Sequence, residues 1–64
     1  MTRVRRGGYV FITWVGDHSP RHVHVLRDGR LVLKWDLEGH RAMAGSAGAK
    51  VVAIIRQLEE EGLL

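Results

Sequence analysis

From residue 8 to 15 the chain reads GYVFITWV. Tyr9, Phe11, Thr13 and Val15 fall on one parity, and Val10, Ile12 and Trp14 on the other. Aromatic and β-branched residues favour the pleated conformation, and apolar side chains on both parities predict a strand covered on both faces. Gly16, Ser19 and Pro20 break the run, so residues 16–21 read as a loop. Two further runs, 22–26 and 30–37, flank Asp28-Gly29, a strong hairpin signal. Loop length decides which side chains share a face, because a one-residue slip inverts all of them. A two-residue turn pairs Arg27 with Arg30 and places His22 and His24 with Leu31, Leu33 and Trp35. A three-residue loop with Gly29 at a bulge pairs Leu26 with Arg30 instead. Val23, Val25, Leu31, Leu33, Trp35 and Leu37 then face one way, and His22, His24, Arg30, Lys34 and Asp36 the other. The second register separates polar from apolar side chains better and is the one predicted.

Residues 38–45 contain two glycines and read as a connection. Ser46 is the expected N-cap of a helix over about 47–61, and Gly62 its stop. Val51, Ile54, Ile55 and Leu58 recur at i, i+3, i+4 and i+7, a single apolar stripe. Glu59, Glu60 and Glu61 stand at the end of the helix where the dipole disfavours negative charge, which suggests fraying or an outside basic partner. The expected fold class is α+β: a three-stranded antiparallel β-sheet followed by one C-terminal α-helix. Residues 1–7 form a basic N-terminal arm in this reading, and 8–64 a single small domain. Apart from Trp35, Trp14 also reads as core or interface rather than as a stacking platform, and Tyr9 and Phe11 are candidates for the face that bears the histidines.

The 64-residue length adds a constraint, because so short a chain buries only about 60% of its unfolded surface. The absence of cysteine excludes disulfides and thiolate metal sites. What remains to support the fold is a second copy or a His/carboxylate metal site, so a homodimer is expected. No apolar run is long enough to cross a bilayer and no signal core follows the first residues, which points to the cytoplasm. Charge is uneven: residues 1–34 carry seven Lys/Arg against two acids, and residues 35–64 three against five. The basic front half suits an anionic partner.

Chemistry concentrates in Asp17-His18-Ser19-Pro20-Arg21-His22-Val23-His24, which holds three of the four histidines. On a strand His22 and His24 project to one face about 7 Å apart at the backbone. Two imidazoles at that spacing suit one metal ion, with His18 or Asp17 as a further ligand from the loop. They also suit acid–base work on a phosphodiester, with Arg21, Arg30 and Lys34 nearby. Set against these uses, His-x-His on an outer strand is common, and Asp-His-x-Pro is often a side-chain-stabilised turn. The candidate binding residues are therefore Asp17, His18, Arg21, His22, His24, Arg30 and Lys34. His22 and His24 are the candidate catalytic pair, and His18, His22 and His24 the candidate metal ligands.

The same eight residues resemble the signature of the small bacterial proteins called domain-of-unknown-function 4160. That family's order is an aromatic and aliphatic strand, Asp-His-x-Pro-Pro-His-x-His, a hairpin, a Gly-containing link and an amphipathic helix. The resemblance spans about residues 8–62, with two departures: Arg21 replaces the usual second proline, and Val23 a frequent aromatic. It implies no established activity. What it does imply is a toxin–antitoxin-like or regulatory component with a cognate protein encoded by a neighbouring gene, and with RNA or DNA as a target. Two function classes stay open. One is a binding module contacting nucleic acid or a partner protein through a basic, His-rich face. The other is a small His-dependent phosphodiesterase or ribonuclease, or else a His cluster that binds metal. No cofactor is required by either, a divalent metal being the one the histidines would accept.

Overall fold

A computed structural model of the chain describes residues 1–14 and 21–64. The elements are β1 (Thr2–Arg6), β2 (Tyr9–Thr13), β3 (His22–Arg27), β4 (Arg30–Asp36), β5 (Arg41–Gly45) and α1 (Ala49–Glu60). The strands form one antiparallel meander in the order β1-β2-β3-β4-β5. The architecture is thus α+β with an antiparallel sheet and a C-terminal helix, but the sheet has five strands rather than the expected three.

Both extra strands lie where composition argues for irregular chain. Residues 2–6 form β1 rather than a frayed arm because Gly7 and Gly8, at φ 63° and 83°, close a two-residue hairpin onto β2. Left-handed backbone at both turn positions matches the right-handed twist of the strands, and glycine adopts it without steric cost. Strand β5 covers part of the expected connection. Its Ala- and Gly-rich sequence, RAMAG, has poor strand propensity, and pairing to β4 overrides it.

The β3–β4 hairpin corrects the expected loop and preserves its consequence. Asp28 and Gly29 both have positive φ, 53° and 76°, and Arg27 pairs with Arg30 across a two-residue turn. Leu26 pairs with Leu31 but Val25 with Leu33, so Val32 is an extra residue in β4. This bulge shifts the parity of everything beyond it. His22 and His24 then stand opposite Asp36 and Lys34, and Val23 and Val25 opposite Trp35 and Leu33. Leu31 lies on the turn side of the bulge, off the core face assigned to it, and is 53% exposed.

Direct cross-strand partners share a face. Val4, Phe11, Val25 and Leu33 are successive partners across four strands and make the inner row, with Val23 and Trp35 beside it. The row ends at Gly45, partner of Leu33. Val51, Ile54, Ile55 and Leu58 of α1 close over this face, and Phe11, Val23, Val25 and Leu58 are fully buried. Phe11 and Tyr9 therefore belong to the helix side and not to the histidine face.

Gly62, at φ 77°, ends the helix as expected. Its N–H donates to the Glu59 carbonyl (3.0 Å) and the Leu63 N–H to that of Leu58 (2.9 Å), the two bonds of a Schellman motif. The start differs: Gly48, not Ser46, is the N-cap, with no side-chain cap bond. Glu61 takes up a basic partner from within the chain, since both Arg6 guanidinium Nη atoms donate to its carboxylate, at 2.5 and 2.9 Å. That fork ties β1 to the end of α1. It holds the Glu61 carboxyl below its ordinary pKa and raises that of Arg6.

Gly45 marks the tightest approach in the sheet. At φ 81° a Cβ there would overlap the backbone carbonyl of Val32, at the bulge itself. Gly45→Ala should cost about 2 kcal/mol or more through left-handed strain plus the backbone clash. Urea unfolding of the two proteins checks this.

Candidate functional site: the outer face of the sheet

The face turned away from α1 is built from the other parity. Arg3, Ile12, His24, Lys34 and Ala44 are successive cross-strand partners and form one lateral row over all five strands. On one side of it run Arg5, Val10, Leu26 and Leu31, and on the other His22, Asp36 and Arg41. Three rings meet here. Trp14 stands edge-to-face with His24 (centroids 4.7 Å, 87°), and His24 with His22 (5.1 Å, 63°). Both histidines are half-buried, whereas Trp14 is 42% exposed. Val10, Ile12 and Leu26 are half-buried, Lys34 is half-buried, and Arg3 and Arg5 are exposed.

Of the candidate residues, the structure brings His22, His24 and Lys34 together. Arg30 is not among them. It pairs with Arg27 at the turn end of the hairpin, on the parity opposite to Leu26 and Leu31, because the bulge reverses the assignment there. Arg21 is exposed and one residue outside β3. Its backbone is anchored, the N–H donating to the Glu38 carboxylate and the carbonyl accepting from the Leu37 N–H. Asp17 and His18 lie outside the described residues. Among the described residues, no group of three or more His, Cys, Asp or Glu is placed to hold a metal ion.

Asp36 shares the histidine face but has a different task. It is 4% exposed, and its Oδ1 accepts the N–H groups of Glu38 and Gly39, both at 2.8 Å. These bonds fold the β4–β5 turn. The Gly39 N–H, foremost, holds the carboxyl below its ordinary pKa against the opposing effect of desolvation, with help from the Glu38 N–H and from the Arg41 and His40 charges. Arg41 Nε lies 3.8 Å from Asp36 Oδ2, and with Arg3, Arg5 and Lys34 on the same face the described residues there carry net positive charge.

Trp14 and Arg41 join the site although motif reading does not single them out, while Arg3 and Arg5, expected to contact phosphate from a basic arm, reach it from a strand. The alternation Arg3-Val4-Arg5 before Gly7-Gly8 is the signal that would place two of them on a strand. Trp14 carries no comparable signal, since β2 is apolar on both parities. A groove of about 260 Å³ lies on the opposite, helix side, floored by Trp35, Val52 and Ile55 and rimmed by Arg56 and Glu59, and the histidine pair is not part of it. Among the described residues, no helix is long and apolar enough to cross a membrane. No protein-family model, curated protein or solved structure matches the chain.

Because the Asp36 pKa is depressed on folding, its stabilising effect is complete above the unfolded carboxyl pKa and disappears as pH falls through the folded one. Asp36→Asn should therefore be less stable than the parent at pH 7, and the gap should close in acid below about pH 4. Urea midpoints of the two proteins between neutral and acid pH measure it.

Proposed function

We propose that the protein is a small binding module that holds nucleic acid against the outer face of its sheet. The observation that carries this reading is the lateral row Arg3–Ile12–His24–Lys34, with Trp14 and His22 beside it. Cations on either side of an apolar and aromatic strip suit a polyanion with flat, apolar bases, whereas a simple anion would use only the charges. The resemblance of residues 17–24 to domain-of-unknown-function 4160 agrees with a module in a toxin–antitoxin-like or regulatory pair, with a cognate protein as second partner. Phosphate contact is assigned to Arg3, Arg5, Lys34 and Arg41, and positioning of the strand to His22 and His24.

A second reading rests on one distance. His22 and His24, with ring centroids 5.1 Å apart and Lys34 beside them, also form a pair of the kind that cleaves phosphodiesters by acid and base. Incubating labelled RNA with the parent and with the His22→Ala/His24→Ala double variant decides it. Equal cleavage by both, or none by either, removes the catalytic reading and leaves the binding module.

For binding itself, affinity should fall with salt at about 0.7 log units per log of salt for each phosphate contacted, so close to 3 if all four cations engage. The His22→Ala/His24→Ala variant should bind more weakly while keeping the salt slope, because the cations assigned to phosphate are unchanged. Fluorescence anisotropy with a labelled oligonucleotide tests both, and no binding at low salt by the parent refutes the proposal.

A further inference from the structure

Trp14 is the bulky aromatic residue that the fold leaves open. Phe11 is 0% exposed and Trp35 8%, both under α1. Tyr9 packs against the core, and its ring already has the Arg27 guanidinium 5.6 Å and the Lys50 ammonium 6.0 Å from its centroid. Trp14 is 42% exposed and on the other face. It is nevertheless braced, edge-to-face against His24, which in turn meets His22. A ring held this way has little rotamer freedom left to lose when something flat is laid on it.

Its surroundings specify what that is. The row through His24 carries Arg3 on β1 and Lys34 on β4. Those strands are three inter-strand spacings apart, about 14 Å at ~4.8 Å each. An aromatic ring between two cations this far apart suits a base within a short run of two or three nucleotides, whose phosphates reach the cations on either side. A duplex does not fit this surface, since its bases are already stacked on one another and its grooves are read by an inserted helix or two-stranded ribbon. A broad sheet with an exposed ring instead suits unpaired bases, which other sheet surfaces stack in twos and threes.

We propose that the nucleic acid bound on this face is a single strand, with one unpaired base stacked on Trp14. This rests on the nucleic-acid reading above and adds the strandedness and the contact that senses it. His24 is a positioning residue in this arrangement, setting the tilt of the Trp14 ring.

The test uses three labelled ligands of one length: a single-stranded RNA, its duplex, and a strand with abasic sugars that keeps the phosphates and lacks the bases. The proteins are the full chain and its Trp14→Phe and Trp14→Ala variants, each checked for native circular dichroism. The parent should bind the single strand at least tenfold more tightly than the duplex, and about 5- to 150-fold more tightly than the abasic strand, the range expected for one stacked base. Trp14→Ala should bind the single strand and the abasic strand alike, and Trp14→Phe should restore most of the difference. If the parent binds all three ligands equally, the phosphate-contact reading stands and the stacking proposal is overturned. If the parent binds none of them, both fall. Should Trp14 prove to be covered by a second copy, seen as a concentration-dependent dimer that Trp14→Ala abolishes and that nucleic acid does not disrupt, the stacking proposal is also overturned.

Discussion

One helix covers one face of a sheet, and the rest of this molecule follows from that limit. At 12 residues α1 is about 18 Å long, enough to lie over the inner row and no more. Val51, Ile54, Ile55 and Leu58 meet Phe11, Val23, Val25 and Leu33 there and exclude water from all of them. Among the described residues, the opposite face has no such cover. Its aliphatic residues Val10, Ile12 and Leu26 are only half-buried, and Trp14, Leu31 and Val32 are exposed. The same asymmetry that builds the core therefore leaves a broad surface of mixed apolar and cationic character, which is the property the functional reading uses.

What decides which residues occupy that surface is a pair of register shifts, one at Val32 in β4 and one in β5. In the second, Ala44 and Ala42 pair with Lys34 and Trp35, and Met43 is extra. The two-residue Asp28-Gly29 turn by itself would put His22 and His24 on the side of Leu33 and Trp35. The bulge at Val32 moves the β4 register by one, so the imidazoles emerge opposite Lys34 and Asp36. Gly45 lets β5 pass close to that bulge, where any Cβ would meet the Val32 carbonyl. The placement of the histidines thus depends on a turn, a bulge and a glycine in three different strands or loops, none of them near His22 in the sequence.

Charge is arranged by the same economy of partners. Glu61 is joined to Arg6 and Asp36 to the amides of its own turn. Both carboxylates are held ionised by these contacts, yet each is directed at structure rather than solvent. The helix end gains a cation it lacks locally, and the outer face keeps its positive character because Arg3, Arg5, Lys34 and Arg41 outnumber Asp36 among the described residues. Arg3 and Arg5 on the first strand also place charge at an edge of the sheet, where it discourages unwanted strand pairing.

Much of the architecture could be read from local pattern. The i, i+3, i+4, i+7 stripe of α1, the Gly62 stop, the strands around Asp28-Gly29 and the division of Val23 and Val25 from His22 and His24 all follow from periodicities of two and 3.6, which any short segment carries within itself. The count of strands did not follow. RAMAG has no strand propensity of its own, and TRVRR looks like a basic tail until Gly7-Gly8 is taken as a turn, so both needed a neighbour's backbone to pair with. The site divides the same way. His22, His24 and Lys34 were legible as one polar face, because alternation is local. The basic character of Arg3 and Arg5 was equally legible, but the loss of Arg30 from that face, the gain of Trp14 and Arg41, and the turning of Arg6 toward Glu61 were decided by tertiary structure. Cross-strand register joins residues far apart in the chain, and a bulge in one strand resets faces that no local pattern records.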